Sequence, residues 1–281
     1  MSGDFGTRLA STFASRGQLC VGIDPHAGLL DAWGFPDSAA GAREFGLRVV
    51  EAATARVGIV KPQIAFFERH GSAGYAALEE VLAAARASGL LVIADVKRGD
   101  LGTTVDAYGE AWLTPGSPLE ADAMTAVAYQ GLGSLDGVLA LAARSSKGVF
   151  VLAATSNPEA FATQTATRAD GTSVAAGVVA DVGARNAASG ADGLGSVGVV
   201  IGATVALHDY GLTTASLVNL PVLAPGFGHQ GARIEQLPGL FGTAAQNVVV
   251  SASRSILSNG PSGIEAAIDA AATEAQAACR A

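Results

Sequence analysis

Near residue 95 an apolar stretch of the sequence ends in charged residues, in the run Leu90-Leu91-Val92-Ile93-Ala94-Asp95-Val96-Lys97. The apolar part is short and contains β-branched residues, which is typical of a strand buried on both faces of a parallel sheet. Residues two apart on a strand point to the same face, so Asp95 and Lys97 are predicted to lie side by side. This places an anion beside a cation at the C-terminal end of the strand, where parallel α/β proteins carry their active sites. The alternative is an ordinary salt bridge at a solvated strand end.

Other polar residues follow apolar runs in the same way. Lys61 ends one run, Asp24 follows another, and Ser156 follows a third, where its hydroxyl can contact a planar ligand or cap the next helix. Of the 17 basic residues only three are lysines, and Lys61 and Lys97 both stand at strand ends, which favours a need for a compact, titratable ammonium group. Taken alone, Lys61 can be a surface lysine and Asp24 a turn or capping residue. Their recurrence beside Asp95 favours a ligand site.

Late in the sequence a glycine-rich loop and an arginine indicate a site for phosphate. The loop is Gly226-Phe227-Gly228-His229-Gln230-Gly231. Glycine backbone N–H groups can approach an anion closely, here those of Gly226, Gly228 and Gly231. Arg254 follows the next apolar run, and the loops after strands seven and eight are the usual phosphate site of an α/β barrel. The pattern therefore predicts that this end of the fold binds a phosphate monoester.

The elements that position these residues alternate between strand and helix patterns. Strand-like runs are predicted at 19–23, 58–61, 90–95, 123–127, 149–154, 197–201, 222–223 and 248–250. Helical patterns lie among them, for example at 39–54, 75–87, 135–143, 174–189 and 264–278. Eight βα units without a linker or composition break favour a closed (β/α)8 TIM barrel over an open sheet, as a single domain over residues 1–281.

Composition argues against several classes of function. The chain has 281 residues, of which 49% are hydrophobic, enough for one large core. The net charge of −8 predicts no nucleic-acid partner. No apolar run has the length of a signal peptide or a bilayer span, so a soluble protein without membrane contact is expected. Cys20 and Cys279 have neither metal-ligand spacing nor a disulfide framework, which favours a reducing cytoplasm and no metal site.

Together these motifs resemble a known enzyme family. They are Lys61, the DxKxxD motif of Asp95, Lys97 and Asp100, the PGxGxQG motif that ends in Gln230 and Gly231, and Arg254. In this order they resemble the orotidine 5'-phosphate decarboxylase family, and the form ADVKRGD resembles its longer bacterial branch. The resemblance covers the chain from the strand of Asp24 to that of Arg254. It implies decarboxylation of orotidine 5'-phosphate to uridine 5'-phosphate, the last step of de novo pyrimidine nucleotide synthesis, without a cofactor.

The resemblance also implies a role for each matching residue. Lys97 is expected to be the proton donor, and Asp95 the carboxylate beside the leaving carboxylate of the substrate. Lys61 is expected to complete the charged network near the ribose, and Asp24 to bind a ribose hydroxyl. Ser156 is expected to contact the pyrimidine. The expected phosphate ligands are Gln230 and Arg254.

Two further features concern the subunit arrangement and a departure from the family pattern. In the family, the last aspartate of DxKxxD and a threonine four residues later reach into the site of the neighbouring subunit. Asp100 and Thr104 match them, which implies a homodimer with shared active sites. After strand four the chain has Val127-Ala128 where many relatives have Asn-Pro, which leaves the local loop geometry open.

Two alternatives use the same residues. A phosphosugar lyase of the same barrel group shares DxKxxD but typically holds an enediolate with Mg²⁺, so dependence on added metal distinguishes it. A non-catalytic barrel that binds a nucleotide phosphate needs the glycine-rich loop and Arg254 but neither Lys61 nor Lys97. The presence of both lysines with Asp95 favours an enzyme.

Overall fold

In the computed structural model, which describes residues 3–190, 193–228 and 231–280, eight parallel strands close into a barrel in sequence order. The apolar middle of each strand is buried on both faces, against the helices outside and the barrel interior inside. The predicted (β/α)8 TIM barrel is confirmed. Strands β1 to β8 are Leu19–Ile23, Ile59–Pro62, Leu91–Arg98, Ala123–Ala126, Gly148–Ala154, Val197–Ile201, Val222–Phe227 and Val248–Ala252.

Helices follow most strands and cover the outside of the barrel. Helices α1 to α12 are Phe5–Arg16, Ala27–Ala32, Ala39–Ala53, Ala65–Glu68, Gly71–Ala87, Gly102–Leu113, Asp136–Arg144, Phe161–Gln164, Val174–Ala188, Leu237–Phe241, Arg254–Leu257 and Gly260–Arg280. Short 3₁₀ helices lie at Leu132–Leu135, Pro158–Ala160, Leu207–Tyr210, Thr214–Leu217, Ile234–Gln236 and Gly242–Asn247. Within the described part of the chain, none of the helices combines the length and apolarity needed to cross a bilayer.

Strands β3 and β7 extend at least three residues beyond the ends that their apolar patterns predict. Strand β3 continues beyond the predicted end at Asp95 to Arg98, which pairs with Ala126 of β4. Strand β7 continues to Phe227, which pairs with Ala252 of β8. In both pairs the register shifts just before the end. Hydrophobicity alone ends these strands too early, because the residues that interrupt the apolar pattern still pair through their backbones.

Helix α1, which the sequence analysis did not predict, closes the N-terminal end of the barrel. It begins after Asp4, whose carboxylate accepts the N–H of Thr7 at 2.8 Å, and it buries Phe5 and Leu9 completely. Phe5 meets Phe150 edge to face, with ring centroids 5.9 Å apart. Phe5, Leu9 and Phe150 belong to one apolar cluster inside the barrel. Its other buried members are Cys20, Ile59, Leu91, Ile93, Ala123, Val200, Leu223 and Val249. The barrel interior is therefore filled from this end.

We expect Phe5→Ala to lower the free energy of unfolding by about 3 to 5 kcal/mol, the usual cost of truncating a fully buried aromatic side chain. Urea denaturation followed by circular dichroism measures the change. Phe13→Ala is the matched control, because Phe13 lies on the same helix but is only partly buried. If the two substitutions cost the same, α1 does not seal the barrel in the way described.

Candidate active site

A cavity of about 480 Å³ lies at the C-terminal ends of the barrel strands. Its volume falls within the range of about 300–1,000 Å³ typical of small-molecule sites. It gathers side chains that are distant in sequence, because parallel strands in a barrel all end at the same face. The sequence-predicted site residues that line it are Asp24, Lys61, Asp95, Lys97, Ser156, Gly226 and Arg254.

The Asp95 carboxylate lies between two ammonium groups. Its Oδ2 is 3.0 Å from Lys61 Nζ, and its Oδ1 is 2.7 Å from Lys97 Nζ. The side chains of Lys61 and Asp95 are only 6% and 9% exposed, whereas that of Lys97 is 45% exposed. A ligand in the cavity therefore has direct access to the ammonium group of Lys97, while Lys61 lies deeper.

The three charges stabilise one another against burial. Burial raises the pKa of the Asp95 carboxyl, but the positive charges of Lys61 and Lys97 outweigh burial and hold this pKa well below its ordinary value. Burial likewise lowers the pKa of Lys61, and the negative charges of Asp95 and Asp24 outweigh it, so that the pKa of Lys61 lies above its ordinary value. At neutral pH the site therefore contains an anionic Asp95 beside a cationic Lys61.

A bulge near the end of β3 presents Lys97. The register with β4 shifts there, and Lys97 has a φ of +47°, in the left-handed region that residues with a Cβ seldom adopt. Lys97 and Asp95 meet as predicted, but through this bulge and not through regular alternation along the strand. Beyond the bulge, a Cβ on Gly99 would lie 2.3 Å from the carbonyl oxygen of Val127. A glycine is therefore required for β3 to remain against the loop after β4.

Two polar residues that the sequence analysis did not assign also hold Asp95. Thr125 of β4 donates its hydroxyl to Asp95 Oδ1 at 2.9 Å and accepts the N–H of Lys97 at 2.9 Å. Gln63, which follows β2, donates its amide nitrogen to Asp95 Oδ2, and its Oε1 accepts from Lys97 Nζ at 3.2 Å. The sequence signals for these residues are a threonine inside a buried strand and a glutamine two positions after Lys61.

Asp24, at the end of β1, faces the start of the loop after β8. Its Oδ2 accepts a hydrogen bond from the hydroxyl of Ser253, a residue to which the sequence analysis assigns no role. Its Oδ1 is buried and has no hydrogen-bond partner among the residues that the structure describes. Because buried carboxylate oxygens ordinarily have a donor, this atom is suited to accept a hydroxyl from a ligand.

A guanidinium group and the end of β7 form another side of the cavity. Arg254 begins α11, with one residue between it and the end of β8, and Pro225, Gly226 and Phe227 of β7 line the cavity with it. Arginine presents several N–H donors in a planar fork, which matches the oxygens of a phosphate group. The geometry is therefore suited to an anionic group at this side of the cavity.

The glycine-rich loop enters the cavity only in part. Gly228 and Gly231 do not line it, and the N–H of Gly231 donates to the carbonyl of Gly228 at 3.0 Å. A Cβ on Gly228, where φ is +83°, would lie 2.5 Å from the Cβ of Ser255. Close packing against α11 therefore accounts for this glycine. The predicted phosphate ligand Gln230 lies outside the residues that the structure describes.

The remaining wall of the cavity is apolar toward the barrel and polar toward the loop after β5. The apolar residues are Leu152, Val200 and Leu223. On the polar side, Ser156 is exposed and follows Thr155, which is fixed by Gln164 of α8. The Gln164 side chain accepts the N–H of Thr155 at 2.8 Å and donates to its hydroxyl at 3.0 Å. A planar ligand can thus have an apolar face against the strands and polar groups along one edge.

Asp100 and Thr104, by contrast, do not line the cavity of their own chain. The Asp100 Oδ1 accepts the N–H of Leu101 at 2.9 Å, and Thr104 is exposed in the first turn of α6. Large apolar side chains are exposed on the same loop and on the neighbouring loop after β4. Leu101 is 61% exposed and Tyr129 is 83% exposed. Both loops follow neighbouring strands of the barrel, and large apolar side chains exposed there are candidates for contact with another protein.

The structure also bears on two other kinds of reactive group, a cysteine thiolate and a metal centre. Burial raises the pKa of the Cys20 thiol to about 12, so this cysteine is not a thiolate nucleophile at neutral pH. Among the described residues, no three side chains of His, Cys, Asp or Glu converge in a way that could hold a metal ion. The charged side chains that line the cavity are Asp24, Lys61, Asp95, Lys97 and Arg254.

Comparisons with known proteins agree with one another. Residues 17–269 match the model of the Orotidine 5'-phosphate decarboxylase / HUMPS family. The chain is 50% identical over 258 residues to an orotidine 5'-phosphate decarboxylase of Streptomyces coelicolor, covering 92% of this chain and 91% of the relative. It is 49% identical over 277 residues to that of Salinispora tropica, covering 99% and 97%. A crystal structure from Streptomyces avermitilis, assigned to the same enzyme, superposes with a TM-score of 0.94 at 49% identity and covers 100% of this chain and 98% of that one.

Proposed function

Because the chain belongs to the Orotidine 5'-phosphate decarboxylase / HUMPS family, we propose that Lys97 is the proton donor of its reaction and that Asp95 lies beside the group that leaves. The chain is a carbon–carbon lyase that converts orotidine 5'-phosphate to uridine 5'-phosphate and CO2, the last step of de novo pyrimidine nucleotide synthesis. The observation that supports the proposed roles is the Asp95 carboxylate held between Lys61 and Lys97, with Lys97 facing the cavity.

The proposed role of Lys97 follows from the charge that the reaction creates. When the bond to the carboxylate carbon breaks, its electron pair stays on the ring carbon, in the plane of the ring, where the π system cannot delocalise it. A cation that is already in place stabilises this charge without reorganisation. The Lys97 ammonium supplies the cation and then transfers a proton to the carbon, so the electron pair of the broken C–C bond becomes the new C–H bond. Lys97 is left as a neutral amine and regains a proton from water.

Asp95 and Lys61 have different parts in this proposal. Asp95 remains anionic because its pKa is held low, so a substrate carboxylate next to it experiences like-charge repulsion that ends when CO2 leaves. Lys61 balances the charge of Asp95 from the buried side, at 3.0 Å. The site is therefore stable before the substrate arrives, although it contains a buried carboxylate.

The rest of the nucleotide is proposed to bind along the cavity wall. The unpaired Oδ1 of Asp24 accepts a ribose hydroxyl, and Ser156 contacts the polar edge of the pyrimidine. The phosphate binds at Arg254 and Gly226, which line the cavity, and at Gln230 of the same loop, whereas Gly228 and Gly231 shape that loop and do not contact the phosphate. Binding energy from the phosphate is available to hold the reacting ring against Lys97 and Asp95.

We expect Arg254→Ala to lower kcat/KM for orotidine 5'-phosphate by about one to two powers of ten, since a hydrogen bond to a charged group is worth about 1.5 to 3 kcal/mol. Steady-state kinetics measure the loss. Orotidine without its phosphate is the control substrate, and its slow decarboxylation should change little. An equal loss with both substrates would mean that Arg254 supports the structure and does not bind phosphate.

A homodimer with shared sites is the proposed assembly. It is supported by the position of Asp100 and Thr104 outside the cavity of their own chain, and by the exposed Leu101 and Tyr129 on the loops after β3 and β4. In a symmetric dimer these loops can face the partner's cavity, and the partner's loops face this one. The proposed location is the reducing cytoplasm, which is consistent with Cys20 and Cys279 as free thiols.

One assay tests the activity directly. The purified protein is mixed with orotidine 5'-phosphate in the presence of a metal chelator, and the loss of the ultraviolet absorbance of the substrate is followed. We expect the absorbance to fall at the same rate with and without the chelator. Activity that requires added Mg²⁺ would favour a metal-dependent lyase, and no change in absorbance would contradict the decarboxylase function.

A further inference from the structure

We infer that Thr125 is a positioning residue of this reaction, because its buried hydroxyl fixes both the orientation of the Asp95 carboxylate and the backbone bulge that presents Lys97. The inference rests on the proposed function, since Thr125 acts through those two residues. The inference adds an uncharged residue to the group formed by Asp95, Lys61 and Lys97. Thr125 lies on β4, whose other side chains are apolar.

The contacts of Thr125 place one oxygen atom between the two residues. Thr125 Oγ1 donates its proton to Asp95 Oδ1 at 2.9 Å and accepts the backbone N–H of Lys97 at 2.9 Å. A hydroxyl has one proton to donate and lone pairs to accept, so both bonds can exist together. Thr125 is 1% exposed, so water does not compete for either bond.

The bulge explains why Lys97 needs this acceptor. Pairing between β3 and β4 is regular at Ala94 with Met124 and resumes at Arg98 with Ala126. Between these pairs the N–H of Lys97 points to the Thr125 side chain in place of a backbone carbonyl. The left-handed backbone conformation of Lys97 is unfavourable for a residue with a Cβ. A buried N–H without an acceptor would raise the free energy of this conformation further. The hydroxyl therefore stabilises the conformation in which Lys97 reaches the cavity.

The bond to Asp95 has a separate consequence. Asp95 Oδ1 accepts from both Lys97 Nζ and the Thr125 hydroxyl. When the Lys97 ammonium moves toward the ring carbon and gives up its proton, its bond to Oδ1 weakens. Thr125 then keeps Oδ1 in place, so Asp95 does not turn to follow the lysine. The carboxylate therefore keeps its orientation while the ammonium group of the proton donor moves.

The test compares Thr125→Val with Thr125→Ser. Valine keeps the shape of the side chain but has no hydroxyl, so we expect kcat to fall about 10- to 100-fold, which corresponds to about 1.4 to 2.7 kcal/mol at a factor of ten per 1.36 kcal/mol. The KM for orotidine 5'-phosphate and the Kd for uridine 5'-phosphate should stay within about threefold, because the side chain of Thr125 is bonded to Asp95 and Lys97 and not to Arg254 or Asp24, which are proposed to hold the phosphate and the ribose. Serine keeps the hydroxyl and should restore kcat to within about fivefold of the unchanged protein.

Thr12→Val is the matched control. Thr12 is a buried threonine of α1 at the opposite end of the barrel, 4% exposed, and its hydroxyl donates to the Arg8 carbonyl at 2.9 Å. The same substitution there should leave kcat unchanged. Thr125→Ala is the second variant if valine at position 125 prevents folding, and it carries the same expectation.

The outcomes separate this inference from the proposed function. If the unchanged protein decarboxylates its substrate and Thr125→Val keeps kcat within threefold, Thr125 has no positioning role. The inference is also wrong if Thr125→Ser loses as much activity as Thr125→Val, or if KM and kcat change in parallel. If the unchanged protein does not act on orotidine 5'-phosphate, the proposed function itself fails.

Discussion

Lys97→Ala should abolish decarboxylation while leaving binding of the product, uridine 5'-phosphate, measurable. General acid catalysis alone is worth about 10²- to 10⁴-fold. The loss should exceed this range, because the same ammonium group is also proposed to stabilise the carbanion before the proton moves. The largest enzymatic accelerations reach about 10¹⁷-fold, or about 23 kcal/mol, so there is ample room for a larger effect. Product binding should survive, because Arg254 and Asp24, the residues proposed to hold the phosphate and the ribose, are unchanged in this variant.

The measurements are single-turnover kinetics for the reaction and titration calorimetry for the product. Lys97→Arg is the matched variant, because it keeps a positive charge near Asp95 but its guanidinium does not release a proton at neutral pH. We expect it to remain inactive or nearly so. Activity of Lys97→Ala within tenfold of the unchanged protein would rule out Lys97 as the proton donor.

Mixing two inactive variants, Asp100→Ala and Lys97→Ala, should restore activity. Asp100 lies in a loop outside the cavity of its own chain, so in the proposed dimer it serves the site of the partner. Subunit exchange then produces heterodimers in which one site carries both substitutions and the other carries neither. In a statistical mixture half of the dimers are mixed and half of their sites are intact, so activity should rise to about one quarter of the unchanged total.

A second pair of variants controls this experiment. Asp95→Asn and Lys97→Ala both alter groups of the same cavity, 2.7 Å apart in one chain, so their heterodimers have no intact site and should stay inactive. Native mass spectrometry shows whether exchange has occurred. If exchange is complete and the Asp100→Ala mixture stays at background, Asp100 acts in its own subunit and the shared-site arrangement is wrong.

The fold and the charged centre of the site could be read from sequence because both depend on local patterns. The apolar strands of the barrel appear as short runs, and Asp95 and Lys97 interrupt one of them at the place where the cavity begins. Lys61 and Asp24 follow two other strands in the same manner, and the closure of the barrel brings them together. The local patterns and the number of strands were enough to predict that these residues lie at the same end of the barrel.

The supporting residues could not be read in the same way, because their roles depend on contacts across the barrel. In the sequence Thr125 is one hydroxyl residue in a predicted strand, and nothing there indicates a role. Its role follows only from the position of β4 beside the bulge of β3. Gln63 and Ser253 likewise acquire partners only when neighbouring strand ends meet. Alternation along a strand predicts that Lys97 lies near Asp95, but it cannot predict a positive φ, which arises from the register shift.

The helix that seals the barrel has a consequence for the order of synthesis. Phe5 and Leu9 are made first, yet one of their main partners, Phe150, is made about 145 residues later. At the usual rate of about 5–20 residues per second, roughly 7 to 30 s pass between the synthesis of α1 and the synthesis of this partner. During that interval the apolar face of α1 is exposed to chaperones and to other nascent chains. Production of this protein should therefore depend on chaperone supply more than its final stability indicates.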